Sequence, residues 1–341
     1  MLSLAVVGSL ALAGCVTTPT DSGGGTEPSN EDNGGDTAGG VVISGSSTVE
    51  PISSLVTEDF EAANEGFEFS VDGPGTGDGF ALFCEGETDI SDASRPISEE
   101  EIAACDEAGI PYVELKIAVD GISVLTSTAN DAVTCLSFLD LYALMGPEGD
   151  GYGNWSDQND LADELASELG EEFGTSNAPY PDASLEVTAP GEESGTYDSF
   201  LELVFEDIAE GREADPVARA GYTASADDNV IIEGISGSDT SLGWVGFAFY
   251  EENADVVKAL EVDGGDGCVA PTAETIASND YPISRDLFIY VNTDKAAENS
   301  TLVEFVDYYL SDEGIAAVEE AGYVSLAPEA LEETRAAWDG R

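Results

Sequence analysis

Three times in this chain an apolar run of strand character ends in a turn of glycine and hydroxyl residues and passes directly into a helix start. The runs are 41–44, 67–71 and 185–188. The turns are Gly45-Ser46-Ser47-Thr48, Gly73-Pro74-Gly75-Thr76-Gly77 and Glu193-Ser194-Gly195-Thr196. After the first turn Val49, Ile52, Leu55, Val56 and Phe60 recur at helical spacing, and after the third Tyr197, Phe200, Leu201, Val204, Phe205 and Ile208 do the same. Further helices are expected over 77–85, 99–108, 138–145, 161–169, 302–310 and 314–320. Strands are expected over 112–126, with a break at Asp120-Gly121, over 242–250 and over 287–292, while 230–235 reads as either. Strands alternating with helices predict an α/β fold with mainly parallel pairing. About 300 residues suffice for two lobes.

The turns carry the chemistry. A helix start leaves backbone N–H groups unpaired and about half a positive charge. Glycine lets a ligand approach the backbone, and Ser and Thr add hydroxyl donors. A single such turn is more often an N-cap than a ligand site. In an α/β fold, however, helix starts gather at the carboxyl ends of strands, where ligands bind. Three of them aimed at one point would hold a tetrahedral oxyanion with little formal charge. A fourth element is 89-DISDASRPIS-98, in which Arg95 sits in a serine-rich loop. Its planar fork suits bidentate contact with an oxyanion. The rival arginine, Arg285 in YPISRDLFIYV, reads as structural, anchoring a strand between lobes.

An anion grip is unexpected in a chain with 71 acidic and 9 basic residues and a formal charge of −62. The acid is spread along the chain, and lysine is confined to Lys116, Lys258 and Lys295. That pattern predicts the surface of a protein from a salt-loving organism. At ~1 M ionic strength the Debye length is ~3 Å, so surface acids scarcely feel one another. Nucleic-acid partners, which need a basic footprint, are excluded. The absence of histidine excludes Ser-His-Asp and Cys-His nucleophile systems and histidine zinc sites. Carboxylates or a Ser–Lys pair remain chemically open to an enzyme. The nearest approach to a metal-ligand cluster is Asp72, Asp78, Asp89 and Asp92, whose spacing fits no metal site, so neither metal nor cofactor is expected.

Residues 1–15, MLSLAVVGSLALAGC, are apolar and too short to span a bilayer. They read as the core of a secretory signal whose positive start is missing, and Leu12-Ala13-Gly14-Cys15 resembles a lipobox with Cys15 as the lipidated residue. Residues 16–40 are too polar to bury a core and predict a flexible tether with a reach of about 25–30 Å. No later run of 18 apolar residues follows. With Cys15 set aside, four cysteines allow three pairings. Cys84–Cys105, which closes a short local loop, and Cys135–Cys268 are the favoured pair of bridges, as suits an oxidising exterior.

GSSTVEP, DISDASRPIS, ESGTYDSF, SLGWVGFAFY, YPISRDLFIYVN and YYLSDEGIAAVEEAGYVSL, in this order over 41–327, resemble the phosphate-binding proteins of ABC-type phosphate importers (PstS type). The resemblance implies a two-lobed periplasmic-binding-protein-like (type II) clamp. It would be lipid-anchored outside the cytoplasmic membrane, monomeric and non-enzymatic, and would deliver inorganic phosphate to a permease. It also implies ligand roles for Ser47 and Thr48, for Thr76, for Ser94 and Arg95, and for Ser194, Gly195 and Thr196. Relatives often carry an arginine just before Ser-Gly-Thr; here the positions are Pro190, Gly191, Glu192 and Glu193, which leaves Arg95 as the expected cationic ligand. A carboxylate that accepts the proton of hydrogen phosphate would repel sulfate. Glu192 is the first candidate, where relatives have an acid, ahead of Glu193 and Asp92.

The chain is expected to cross between lobes near 120–127 and 281–285, giving lobe one as 41–120 plus 286–341 and lobe two as 121–285. A ligand touching both lobes would stabilise the closed state. The alternatives are a receptor for sulfate, molybdate or tungstate, a carboxylate- and metal-dependent phosphatase, or a surface adhesin, for which no residue pattern selects.

Overall fold

The computed structural model describes residues 40–192 and 194–341. The leader, Cys15 and the tether up to residue 39 lie outside the described residues, as does Glu193.

The first strand, β1 (Val41–Gly45), feeds through the first turn into α1 (Glu50–Ala63). Next come β2 (Phe69–Asp72), α2 (Thr76–Cys84), β3 (Ile90–Ala93) and α3 (Glu99–Ala108). β1 lies between β2 and β3 and is parallel to both, with Ile43 opposite Val71 on one side and Ile90 on the other. This order brings the ends of β1 and β3 and the starts of α1 and α2 to one edge of the sheet. The apolar stripe of α1 buries Ile52, Val56 and Phe60 in a core with Val41, Ile43 and Phe305. α3 opens on a capping box of Ser98 and Glu101 and stops at Gly109, whose φ of 72° is the left-handed conformation glycine takes most readily.

β4 (Tyr112–Ser127) runs unbroken for 16 residues, so Asp120-Gly121 does not interrupt it. What changes there is the partner. Tyr112 through Gly121 pair antiparallel with the strand Ser284–Asn292, and from Ile122 onward β4 pairs with Gly243–Gly246 and Val257–Ala259. Two large cores lie on either side of this change. Leu115, Ile117 and Ala118 belong to the first core, with Leu287 and Ile289. Val119, Ile122 and Val124 belong to the second, with Trp155, Phe200, Phe205 and Trp244. The molecule is a two-lobed α/β protein, and β4 pairs antiparallel with Ser284–Asn292 on the first side of this change. Because those strands run in opposite directions, pairing is mixed rather than mainly parallel as expected.

Other departures have local causes. The run 242–250 is not one strand: the strand stops at Gly246, and Phe247–Glu252 is a helix that buries Phe247. A short apolar aromatic run does not distinguish the two by periodicity. The paired segment near 185–188 is Thr188–Pro190, and Asp228–Ser236 is a helix. A further helix, Pro328–Asp339, buries Trp338 in the first core and carries Thr334, whose hydroxyl donates to the carbonyl of Lys116 (2.8 Å). The disulfides join Cys84 to Cys105, tying α2 to α3, and Cys135 to Cys268 in the second lobe. Among the described residues no helix is long and apolar enough to cross a membrane.

Candidate functional site

The first turn is held by its own backbone. The Ser46 amide donates to the Asp92 carbonyl (2.9 Å), and the amides of Val49 and Glu50 return to the Ser46 carbonyl (3.1 and 2.9 Å). No side chain caps α1, and the amide of exposed Ser47 has no acceptor among the described residues. The second turn sits against the first: the Gly75 amide donates to the Gly45 carbonyl (2.8 Å). Glycine is required for this contact. A Cβ on Gly79 would stand 2.4 Å from the Gly45 Cα, and one on Gly45 would stand 2.1 Å from the Asp92 carbonyl oxygen. α2 also begins without a side-chain cap, so its first amides are left for a ligand or water. Thr76 Oγ1 accepts the Ser94 amide (3.2 Å) and lies 3.1 Å from the Ser94 hydroxyl, which joins the second turn to the loop after β3.

Arg95 follows Ser94 and is clamped. Its fork donates to both oxygens of Glu101 (2.8 Å each) and to the Pro96 carbonyl (3.1 Å), and its guanidinium lies 5.7 Å from the centre of the Phe80 ring. The hydrogen bond to Glu101 raises the Arg95 pKa above its ordinary value. Burial pushes Glu101 up, but hydrogen bonds from Arg95 and Ser98 outweigh it and hold that carboxyl below the usual range. A guanidinium has five N–H groups, so three bonds leave two for a ligand. Glu101 thus caps α3 and aims Arg95 at once.

Ser47, Thr48, Thr76, Ser94 and Arg95 line one cleft of about 200 Å³, together with Ser46 and Gly75. The facing wall is Asp198, Glu202 and Arg285. Arg285, which the sequence reading made a strand anchor, is in the strand that returns to the first lobe, but its side chain reaches the cleft. It donates to Thr48 Oγ1 (3.1 Å), to the Ser199 hydroxyl and to Glu202, and its Nε lies 3.5 Å from Asp120 Oδ2.

The third turn stands beside the cleft rather than lining it. The Ser194 hydroxyl accepts the Thr196 amide (3.3 Å) and so caps the helix Gly195–Phe200. A Cβ on Gly195 would lie 4.0 Å from the Ser47 carbonyl oxygen, so the first and third turns are neighbours. Thr196 lines an adjoining cavity of about 340 Å³ with Asp120, Asp228, Glu252 and Tyr323. What this helix presents to the cleft is Asp198 and Glu202, one and two turns beyond Ser194. Burial and then the neighbouring Glu202 raise the Asp198 pKa. Glu192 is exposed and does not line the cleft, and Asp92 is buried beneath the first turn. Cys135, Glu261 and Cys268 lie close enough together to share an ion, but both cysteines are spent in their disulfide.

Two uncapped helix starts, several hydroxyls and two guanidiniums thus meet at one small cleft. A model of the PBP superfamily domain matches residues 30–313. The chain belongs to the PBP superfamily. Among its superfamily relatives, the protein SphX of Synechocystis sp. is 37% identical over 86% of this chain and 80% of its own length. The phosphate-binding protein PstS of Staphylococcus epidermidis is 34% identical over the same shares. The crystal structure of a possible phosphate binding protein from Planctomyces limnophilus superposes with a TM-score of 0.77 at 32% identity, covering 89% of this chain and 98% of that one.

That Arg285, Asp198 and Glu202 line the cleft was not expected from the sequence. A signal for the two acids was present. The stripe from Tyr197 to Ile208 buries one face of the helix, which leaves residues 198 and 202 on the polar face above Ser194.

Proposed function

We propose that this protein is an extracytoplasmic receptor that binds inorganic phosphate in the cleft between its lobes and hands it to an ABC transporter permease. The observation that carries this reading is the meeting of the first two turns, Ser94 and two guanidiniums in one small cleft. The names of the relatives agree with it. In this reading Ser47, Thr48, Thr76, Ser94 and Arg95 hold the anion in the lobe formed by 41–120 and 286–341. Closure of 121–285 then brings in the turn Ser194-Gly195-Thr196. Cys15 carries the lipid that tethers a monomer outside the membrane, and the reading needs no cofactor or metal.

The cleft is not electropositive overall: Glu101, Asp120, Asp198 and Glu202 surround its two arginines. Such a site relies on amides and hydroxyls that act at short range. It also selects for an anion that can donate a proton, because a bare dianion meets carboxylates with nothing to share. Asp198 takes the acceptor role first considered for Glu192, since it borders the cleft and burial raises its affinity for a proton.

Calorimetry in concentrated KCl tests this. Phosphate should bind one to one, with sulfate and tungstate weaker by roughly tenfold or more, the scale of one lost charge-assisted hydrogen bond. Equal affinity for sulfate would overturn the phosphate assignment, and turnover of a chromogenic phosphate ester would favour an enzyme. The acidic surface also implies adaptation to brine: the melting temperature should rise between about 0.1 M and about 2 M KCl as repulsion is screened. A melting temperature independent of salt would remove that part of the reading.

A further inference from the structure

Arg285 occupies a singular place. In register it lies opposite Asp120, where β4 passes from one lobe to the other. Its side chain is only 9% exposed, yet it touches Thr48 of the first turn in one lobe and Ser199 and Glu202 in the other. Its partner Glu202 is 45% exposed and, among the described residues, has Arg285 as its ion-pair partner. Glu202 sits in a π-helical turn, Leu201–Phe205, inserted between the α-helical segments Gly195–Phe200 and Glu206–Gly211. Such wide turns recur at functional sites because they re-aim a side chain.

The two ends of this ion pair are therefore unequal. The cation is buried, fixed by the hinge strand and by Asp120, and already bonded to a cleft hydroxyl. The anion is nearly half exposed and, among the described residues, is held by Arg285 as its ion-pair partner. We infer that Arg285 is a second cationic ligand of the bound oxyanion, and that Glu202 is its exchangeable counter-ion, holding the guanidinium at Thr48 until the anion takes its place. This rests on the phosphate reading above. The consequence is that Glu202 competes with the ligand for Arg285 and weakens binding. Because Arg285 stands on the returning strand and Glu202 on the other lobe, the exchange also reports ligand arrival to both lobes.

The test is a double-mutant cycle read by phosphate calorimetry and thermal melting. Glu202→Gln should tighten phosphate binding several-fold, and Arg285→Gln should weaken it roughly ten- to hundredfold, the range for a charge-assisted contact. In the Arg285→Gln background Glu202→Gln relieves only direct repulsion of the anion, so its effect on affinity should differ from its effect in the wild type; equal effects in the two backgrounds would show no coupling through Arg285 and overturn the inference. Arg285→Lys, which keeps charge but loses the fork, should fall between. A folded Arg285→Gln variant with unchanged affinity would show the arginine to be structural and overturn the inference. If that variant does not fold, Glu202→Gln decides alone, and unchanged or weaker binding overturns it. Wild-type protein that binds no phosphate would instead sink the reading beneath it, a separate outcome.

Discussion

Replacing Arg95 with alanine is expected to weaken phosphate binding by roughly two orders of magnitude or more while leaving the protein folded. A hydrogen bond to a charged group contributes about 1.5–3 kcal/mol, and about 1.4 kcal/mol is a tenfold change in affinity. Arg95 has two N–H groups beyond those taken by Glu101 and Pro96. The substitution also leaves Glu101 as an unpaired carboxylate near the incoming anion, which adds repulsion to the lost contacts. Folding should survive, because Glu101 keeps its bond from the Ser98 amide (2.8 Å) and α3 keeps its cap. Calorimetry with a parallel melting curve checks this. Near-normal affinity would remove Arg95 from the site, and a collapse of the melting temperature would make its role structural. Arg95→Lys should recover little, since Glu101 holds a planar fork that an ammonium does not reproduce.

The second large effect concerns stability against pH and belongs to Asp92. This carboxyl is completely buried under the first turn; Oδ1 accepts the Ser53 hydroxyl (3.0 Å), and Oδ2 has no partner among the described residues. Burial pushes its pKa up to about 8, against the Ser53 hydrogen bond and with help from Glu50 and Asp72. In the unfolded chain it titrates near an ordinary aspartate, about 4. Between those values the folded state holds a proton that the unfolded state has released. Stability from this group is thus fully present below about pH 4 and is lost as pH rises toward 8. Denaturant unfolding at about pH 5 and pH 8 should differ by several kcal/mol more in the wild type than in Asp92→Asn, in which the group no longer titrates. Parallel profiles for the two proteins would show that Asp92 is not held neutral. The Ser53 hydroxyl also meets Tyr309 (3.1 Å), so the same change tests whether the floor of the binding edge is coupled to the helix Ser300–Tyr309.

Much of this was legible in the sequence, for reasons specific to each element. The first two turns could be read because a strand pattern, a glycine and a helical stripe follow one another with almost no intervening chain. Arg95 could be read because arginine is scarce here and stands among serines. The long strand 112–127 was visible as an apolar run, and a crossing near 120–127 was expected, but the strands it pairs with on either side of residue 121 were not, since pairing partners lie far away in sequence. The role of Arg285 was hidden for the same reason: Thr48, Ser199 and Glu202 are remote from it along the chain. Glu101 was a different kind of miss. Ser98 followed three residues later by Glu101 is a capping-box signature, which placed that carboxylate in the first turn of α3, six residues after Arg95. The third turn illustrates a limit of composition. Ser-Gly-Thr spells both a cap and a ligand site, and here the Ser194 hydroxyl is engaged as the cap.

The central claim is that the two turns, Ser94 and the paired arginines form one oxyanion seat. Arsenate has the shape and protonation of phosphate and scatters X-rays anomalously, so a crystal of this protein grown with arsenate locates the seat directly. A single anomalous peak within hydrogen-bond reach of the Ser47 and Thr76 amides and of Arg95 and Arg285 is the predicted result. A peak in the acid-lined cavity beside Thr196, or an empty cleft at saturating arsenate, would contradict it.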